Sequence, residues 1–345
     1  MFREVMKSMA TKEPETGFIY EVTAACNNRC LYCYNVWKCH GRPTPGDLPA
    51  SEWAKITGKL QRESSVRLIT VSGGEPLLRK DLPEILGDIK ARHINVNLIT
   101  NGTLLTGDNV AGTIDSVSMY ELPLLSDTAF AHDYLAQSKA FDKVIDGMAN
   151  ITAAGGNFAA VFVATRVNAD DLEGACLMAI ALGARTLMYN PFNPGGEGLR
   201  HMEKLRLPAS TVKAHLDLLE ELSRQYGIPV HCGVPVLPCV LDTREYKRIT
   251  FGSCPAGGQG AYYTIDPQGM MRMCNHSPQV LGDFREEPFR KIKASAAAES
   301  FRRCAPERCR GCKDFPACRG GCRAILEQIY GRADVEEPLS GITQT

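Results

Sequence analysis

The sequence predicts an α/β protein in which six strand–helix units form a parallel array, followed by a smaller cysteine-rich region. Two observations support this prediction. From residue 17 to residue 222, apolar runs of strand length alternate with stretches of helical periodicity. Beyond that alternation, nine of the fourteen cysteines lie between Cys232 and Cys322. Helical connections between consecutive strands favour a parallel sheet with right-handed crossovers.

The six strands are predicted from short apolar runs that end near polar or glycine-containing turns. The helices are predicted from apolar residues spaced three and four apart, as with Trp53, Ile56 and Leu60. The strands are expected at 17–22, 66–71, 95–99, 113–119, 158–167 and 186–189. The helices are expected at 51–60, 81–92, 141–151, 171–182 and 212–222.

A β-hairpin is expected near the start of the cysteine-rich region. Residues 262–265 and 270–273 read as strands, and the Asp-Pro-Gln-Gly sequence between them is typical of a type I turn. Cys254 precedes this hairpin and Cys274 follows it directly. The hairpin therefore carries a thiol at its far end.

Size and composition limit the classes of function. The 345 residues are 44% apolar, which allows a sizeable core and suggests one large domain with a smaller one. We expect an N-terminal segment at 1–16, a large domain at 17–232, a small domain at 233–335 and a tail at 336–345. The net charge of zero gives no indication of binding to nucleic acid or to an anionic membrane.

The N-terminus and the cysteine content indicate a cellular compartment. The first 25 residues are mostly polar, so neither a signal peptide nor a membrane span is expected. The expected location is the cytoplasm. Because a reducing compartment keeps thiols free, fourteen cysteines are more plausible there as metal ligands than as disulfides.

The first motif is a C-x3-C-x2-C run formed by Cys26, Cys30 and Cys33. It supplies three thiolates from one short loop, whereas an iron–sulfur cubane usually takes four ligands. One iron would then stay open for a substrate or cofactor, as catalytic zinc sites keep one position open. The alternatives are buried free thiols or a zinc site, which only Cys39 and His40 lie near enough in sequence to complete.

The second motif, Ser72-Gly73-Gly74-Glu75, follows the predicted second strand. Two glycines allow the backbone to approach a ligand closely, and the glutamate offers a carboxylate to an ammonium group. An ordinary turn is the alternative interpretation of these residues alone. Their position behind the cysteine loop favours a binding role.

These two motifs, with aromatic Tyr32 just before the third cysteine, resemble the radical S-adenosylmethionine (SAM) superfamily. The resemblance implies a six-stranded partial barrel of the TIM type, and the strand count agrees. It implies a [4Fe–4S] cluster whose open iron binds the amino and carboxylate groups of SAM, beside Tyr32. Cleavage of SAM there gives a 5′-deoxyadenosyl radical. The segment containing Ser72, Gly73, Gly74 and Glu75 would bind the SAM amine.

The resemblance suggests further SAM contacts at other strand ends. Asn101 belongs to a polar turn similar to the Thr-Asn-Gly segment of the family, with a simple tight turn as the alternative. Ser118 is expected to contact the ribose, although the two residues after Met119 depart from the Asp-Gly of the related pattern. Arg166 would pair with the SAM carboxylate, or lie on the surface. Tyr189 would pack on adenine, or in the core.

The C-terminal cysteines resemble a SPASM domain, which holds auxiliary [4Fe–4S] clusters. The matching pattern is C-x14-G-x4-C followed by C-x2-C-x5-C-x3-C, and a zinc ribbon is the alternative. The resemblance assigns the first auxiliary cluster to Cys254, Cys274 and Cys322, and the second to Cys309, Cys312 and Cys318.

Each auxiliary cluster lacks a fourth ligand in this assignment. The family usually has one more cysteine after Cys322, and this chain has none. Cys304 is expected to complete the second cluster, with an open or oxygen-ligated iron as the alternative. Cys232 and Cys239 are the candidates for the first. One or two auxiliary clusters are expected.

The resemblance implies a radical SAM oxidoreductase that modifies a ribosomal peptide, with auxiliary clusters that accept electrons. The alternatives are modification of a small metabolite or cofactor precursor, and a non-catalytic iron–sulfur electron carrier. An intact Gly-Gly-Glu motif argues against the carrier. Sulfatase maturation fits less well, because Asn275 follows Cys274 where that subgroup has an aspartate base. His276 is the acid–base candidate, with a structural hydrogen bond as the alternative.

The expected partners follow from this interpretation. They are a peptide substrate and a one-electron reductant such as flavodoxin or ferredoxin. Only 25 residues precede Cys26, too few for a leader-binding domain, so peptide recognition is expected to use a separate leader-binding protein or the C-terminal region.

Overall fold

The computed structural model describes residues 12–36, 46–254 and 261–335. Its strands form one eleven-stranded sheet. They are β1 Gly17–Glu21, β2 Leu68–Ser72, β3 Asn95–Ile99, β4 Met119–Pro123, β5 Phe158–Ala164, β6 Thr186–Pro191, β7 Val230–Cys232, β8 Ile249–Phe251, β9 Tyr263–Ile265, β10 Met270–Arg272 and β11 Val280–Asp283.

The α-helices of the described residues follow the strands in alternation up to β7 and then cluster near the C-terminus. They are α1 Ala50–Glu63, α2 Leu82–Ala91, α3 Gly107–Ala111, α4 Ala129–Ala136, α5 Phe141–Ala153, α6 Leu172–Ala181, α7 Met202–Leu205, α8 Ala209–Tyr226, α9 Phe289–Lys293, α10 Ala296–Arg303, α11 Phe315–Cys318 and α12 Arg323–Tyr330. None of them is long and apolar enough to cross a membrane.

The sheet order confirms the predicted α/β class, with a parallel array followed by a cysteine-rich region. Strands β1 to β8 lie side by side in chain order, and each pair is parallel. The predicted hairpin also forms, because β9 and β10 pair antiparallel. β9 then pairs parallel with β1, which joins the C-terminal strands to the first edge of the array. The predicted domain boundary at residue 232 stays a prediction.

The two faces of the sheet differ in chemistry because side chains alternate along each strand. One face packs against helices: the ring of Tyr20 lies 4.8 Å from that of Trp53 in α1. The opposite face, here called the inner face, carries more polar residues. The register aligns Thr70 with Asn97 and Ile99 with Glu121 across this face.

Strand four begins later than predicted. The expected strand at 113–119 is wrong, because β4 starts only at Met119 and residues 113–116 form turns after α3. The Thr113 hydroxyl donates to the backbone oxygen of Asn109 at 2.8 Å, as a helix-terminal threonine does. Strand five also ends early, at Ala164, because the Asn168 side chain accepts hydrogen bonds from the amide and hydroxyl of Thr165. α4 was not predicted.

Candidate functional site

The first two motifs meet at the carboxyl ends of β1 and β2. The cysteine loop, residues 26–33, follows β1, and the Gly-Gly-Glu segment continues from β2. The amide of Gly74 donates to the backbone oxygen of Thr23 at 2.7 Å, and that of Glu75 to Ala25 at 2.8 Å. Because parallel strands end at one edge, the fold brings both motifs together there.

The two glycines are required by the backbone that leads into the cysteine loop. Gly73 has φ +134°, a conformation that side chains other than glycine rarely adopt. A Cβ atom at Gly74 would lie 2.6 Å from the carbonyl carbon of Ala25 and overlap its oxygen. We had expected the glycines to make room for a ligand. The structure shows that they make room for residues 23–25, and close approach to a ligand stays a prediction.

The Glu75 carboxylate is fully buried and connects three segments. One oxygen accepts from the Leu77 amide at 3.0 Å and the Thr100 hydroxyl at 2.7 Å, and the other accepts from the Asn101 amide at 2.7 Å. The side chain therefore holds the loop after β3 against the loop after β2. A contact with the SAM ammonium stays a prediction.

Asn101 extends this network to the cysteine loop. Its side-chain amide lies 3.9 Å from the sulfur of Cys26 and donates to the Asn27 side chain at 2.7 Å. Its oxygen accepts from the hydroxyl and the amide of Thr103. The turn thus has a specific role, which is to place an N–H donor at the first cysteine.

The three thiols of the cysteine loop gather around Tyr32. Burial raises the pKa of Tyr32 well above its usual range, and the charges of Cys30, Cys33 and Cys26 raise it further. All three thiols are partly exposed. Three adjacent sulfurs with an amide donor beside one of them fit an iron–sulfur cluster, whose sulfurs accept hydrogen bonds. Cys39 and His40, the candidates for a zinc site, lie outside the described residues.

Tyr34 and His276 link the cysteine loop to the C-terminal region. Their rings stack with centroids 4.1 Å apart and planes 11° apart, and the Asn275 side chain donates to the Tyr34 hydroxyl at 2.9 Å. Burial, aided by the charge of Arg272, lowers the pKa of His276 to about 4. The Asn193 side-chain nitrogen faces His276 Nδ1 at 3.4 Å. The lowered pKa keeps the ring neutral near pH 7, and with the Asn193 nitrogen as donor Nδ1 is the acceptor and Nε2 carries the proton.

The thiols assigned to the first auxiliary cluster pack against one hydrophobic core. Burial raises the pKa of Cys274 to about 11, and the charge of Cys254 acts in the same direction. Arg323 Nη2 lies 3.9 Å from the Cys254 sulfur, and the Asn193 side-chain nitrogen lies 3.7 Å from that of Cys322. N–H donors aimed at partly buried sulfurs fit a cluster site.

A further cysteine lies near the second thiol group, which is formed by Cys309, Cys312 and Cys318. Burial raises the pKa of Cys309, and the charges of Cys318, Cys312 and Cys239 act in the same direction. Cys239 therefore lies near the second group, whereas we had considered it for the first. Cys304 as fourth ligand stays a prediction. Burial raises the pKa of its thiol, and the charged side chains that also affect this pKa are Asp334, Arg323, Arg332 and Glu327. Within the described residues, no three His, Cys, Asp or Glu side chains form a group that could hold a single metal ion.

The structure does not bring two predicted SAM contacts to this site. Ser118 precedes β4 and so lies at the opposite, amino edge of the sheet, where its amide bonds to Val96. Tyr189 faces the helices, and its hydroxyl lies 2.9 Å from His215 Nδ1 of α8. The position of Ser118 therefore does not support its expected ribose contact, whereas Tyr189 packs in the core, as its alternative expectation stated. Arg166 lies exposed just beyond the carboxyl end of β5, and its SAM contact stays a prediction.

Glu121 was missed by the sequence interpretation. It lies on the inner face, two residues into β4, and its carboxylate accepts from the Asn97 side chain at 3.2 Å. Burial raises its pKa, which the hydrogen bond from Asn97 partly offsets. Burial raises the pKa of Tyr34 to about 12, and the charge of Glu121 acts in the same direction. A correct start for β4 would have indicated this residue by alternation alone.

Family models match both parts of the chain. A model described as the radical SAM superfamily matches residues 20–179, and a model described as an iron-sulfur cluster-binding domain, SPASM, matches residues 254–313. The chain belongs to the radical SAM superfamily and carries a SPASM domain. It is therefore a radical SAM enzyme, and the two domains imply iron–sulfur clusters and SAM binding.

Individual relatives align along nearly the whole chain. PqqA peptide cyclase of Streptomyces rochei is 26% identical over 335 residues, covering 95% of this chain and 89% of its own. AdoMet-dependent heme synthase of Methanosarcina barkeri is 26% identical over 353 residues, covering 92% and 94%. Streptococcus suis SuiB, solved bound to the precursor peptide SuiA, shares the fold with TM-score 0.73 at 14% identity, over 99% of this chain and 79% of SuiB.

Proposed function

We propose that this enzyme is a peptide maturase that uses SAM to take a hydrogen atom from a residue of a ribosomal peptide, forming a crosslink or an oxidised residue. The observation that supports it most is the full-length similarity to a PqqA peptide cyclase, with both cysteine regions present. The SuiB fold, solved with a precursor peptide, is consistent with it.

The cysteine loop is the proposed SAM-cluster site, with Cys26, Cys30 and Cys33 as ligands. When bound, a [4Fe–4S] cluster and SAM supply a 5′-deoxyadenosyl radical, and auxiliary clusters accept electrons. The chain's own contribution is positional. Glu75 fixes the loop after β3, Asn101 donates toward the Cys26 sulfur, and residues 72–74 hold the backbone that carries the three thiols.

The substrate site is proposed on the inner face between the two cysteine regions. Tyr34 and His276 stack where these regions meet. Glu121 lies on the inner face of β4, and its charge is one of the causes that raise the pKa of Tyr34. His276 is the proposed acid–base group. Because Asn193 faces Nδ1, Nε2 is the atom that would exchange a proton with the substrate.

The peptide function is tested with anaerobically reconstituted enzyme, SAM, a chemical reductant and candidate precursor peptides encoded beside this chain. The expected result is 5′-deoxyadenosine together with a peptide that has lost two hydrogens, detected by mass spectrometry. A variant with the three loop cysteines changed to alanine is the control and should give neither product. Formation of 5′-deoxyadenosine without any change in the peptides would contradict the peptide substrate.

A second candidate is modification of a small cofactor precursor by the same chemistry. The heme synthase relative supports it, because it aligns over 94% of its length at the same identity as the cyclase. Incubation with a metabolite extract distinguishes the two, since a changed metabolite and unchanged peptides would favour this candidate. Absence of 5′-deoxyadenosine under all conditions would instead favour an electron carrier.

The proposed partners and location follow from the chemistry. A flavodoxin or ferredoxin would supply single electrons, and a separate leader-binding protein or the C-terminal region would recognise the peptide. We place the enzyme in the cytoplasm, because a reducing compartment keeps the fourteen cysteines available as ligands. Reduction of the reconstituted protein by purified flavodoxin, followed in its visible spectrum, tests the first of these partners.

A further inference from the structure

A buried arginine contacts a proposed ligand of the first auxiliary cluster. Arg323 is 1% exposed, and its Nη2 lies 3.9 Å from the sulfur of Cys254. It is the first residue of α12, directly after Cys322, a proposed ligand of the same cluster. The sequence interpretation gave this residue no role.

The guanidinium is held in one orientation. Nη1 donates to the backbone oxygens of Phe301 at 2.6 Å and Arg302 at 3.2 Å, and lies 3.4 Å from that of Cys304. The guanidinium carbon lies 5.0 Å from the centre of the Phe301 ring. These contacts fix one end of the planar fork. The other end therefore points at Cys254 without the freedom to turn away.

A fixed positive charge beside a cluster ligand affects the reduction potential of the cluster. Reduction adds negative charge to a cluster, and hydrogen bonds to its sulfurs and the local charge set its potential. A buried cation acts strongly because the surrounding protein screens it weakly. A donor that is both charged and buried therefore favours the reduced form.

We propose that Arg323 raises the reduction potential of the first auxiliary cluster through its contact with Cys254, so that this cluster is the preferred electron acceptor. The proposal rests on the proposed function for its purpose, but the potential can be measured without any substrate. Failure of the peptide assay and failure of this inference are therefore separate results.

The test compares Arg323→Gln, Arg323→Lys and the control Arg303→Gln in the reconstituted full-length enzyme. Arg303 is on α10 and 79% of its side chain is exposed, where it pairs with Glu299. Iron content is measured first. Potentiometric titration followed by electron paramagnetic resonance then gives the potential of each cluster.

We expect Arg323→Gln to lower the equilibrium constant for reduction of one auxiliary cluster about tenfold or more, which is about 59 mV for a one-electron couple. Arg323→Lys keeps the charge and should shift it less, and Arg303→Gln should leave it unchanged. Unaltered potentials in Arg323→Gln, or equal shifts with Gln and Lys, would overturn the inference. Should Arg323→Gln lose iron, Arg323→Lys is decisive: a lowered potential of one auxiliary cluster at full iron content supports the inference, and an unchanged potential or lost iron overturns it.

Discussion

The close approach of Gly74 to the residue before Cys26 makes a quantitative prediction for Gly74→Ala. The new Cβ would overlap the Ala25 carbonyl, so the two segments must separate. Separation weakens the hydrogen bonds of 2.7 and 2.8 Å that join residues 74 and 75 to 23 and 25. At about 0.5–1.5 kcal/mol each, their loss costs about 1–3 kcal/mol.

Gly87→Ala is a matched control in the same array. Gly87 lies inside α2, and a Cβ there would meet nothing within 4 Å. Alanine is a better helix former, so this variant should gain about 0.5–1 kcal/mol. The two substitutions add the same methyl group and should change stability in opposite directions.

The assay is equilibrium unfolding of the metal-free proteins in denaturant, followed by SAM cleavage after anaerobic reconstitution. If the whole 1–3 kcal/mol displaced the cysteine loop, cleavage by Gly74→Ala would fall about 5- to 150-fold. Gly87→Ala should cleave SAM at the wild-type rate. A Gly74→Ala variant as stable and active as Gly87→Ala would refute the backbone role of this glycine.

Three further predictions concern the cysteines and Glu75. Replacing the three thiols of the cysteine loop with alanine should remove about four irons and all SAM cleavage but leave the C-terminal iron; unchanged total iron would count against the N-terminal site. Glu75→Gln should weaken SAM binding at least several-fold without loss of iron, since a charge-assisted hydrogen bond contributes about 1.5–3 kcal/mol; equal affinity by calorimetry would contradict the contact. Cys304→Ala should lower iron content or alter one auxiliary-cluster spectrum, leaving SAM cleavage near normal, and Cys239→Ala made in parallel shows which thiol is the ligand.

Local chemistry explains what the sequence predicted well. The cysteine motif and the Asp-Pro-Gln-Gly turn are recognised from neighbouring residues alone. The cysteines lie in the loop after β1 and the turn joins β9 to β10, both as expected. The parallel array follows from alternating periodicities, which are also local. Radical SAM chemistry was predictable for this reason, because its ligands come from one loop.

Features set by distant contacts were predicted less well. Residues 113–118 contain β-branched and small polar residues that suit a strand. Thr113 instead stays at the end of α3, because its hydroxyl donates a hydrogen bond to the backbone oxygen of Asn109. For Tyr189 the sequence left adenine contact and core packing open, because adjacent residues of a strand point in opposite directions and only the sheet register decides which face each one lies on. The neighbours of Cys239 and Cys304 depend on long-range folding, which thiol spacing does not reveal.

The pairing of β9 with β1 also affects how this protein is made. Phe18 lies opposite Tyr263, so β1 leaves the ribosome 245 residues before its partner. At about 5–20 residues per second, this delay is roughly 12–50 s. During it, one edge of β1 can pair with another chain. The Glu21 carboxylate, which is buried in the folded protein, also lacks its ion-pair partner Arg272 until that residue has been synthesised. The nascent enzyme is therefore exposed to aggregation through this edge until β9 and β10 have been synthesised.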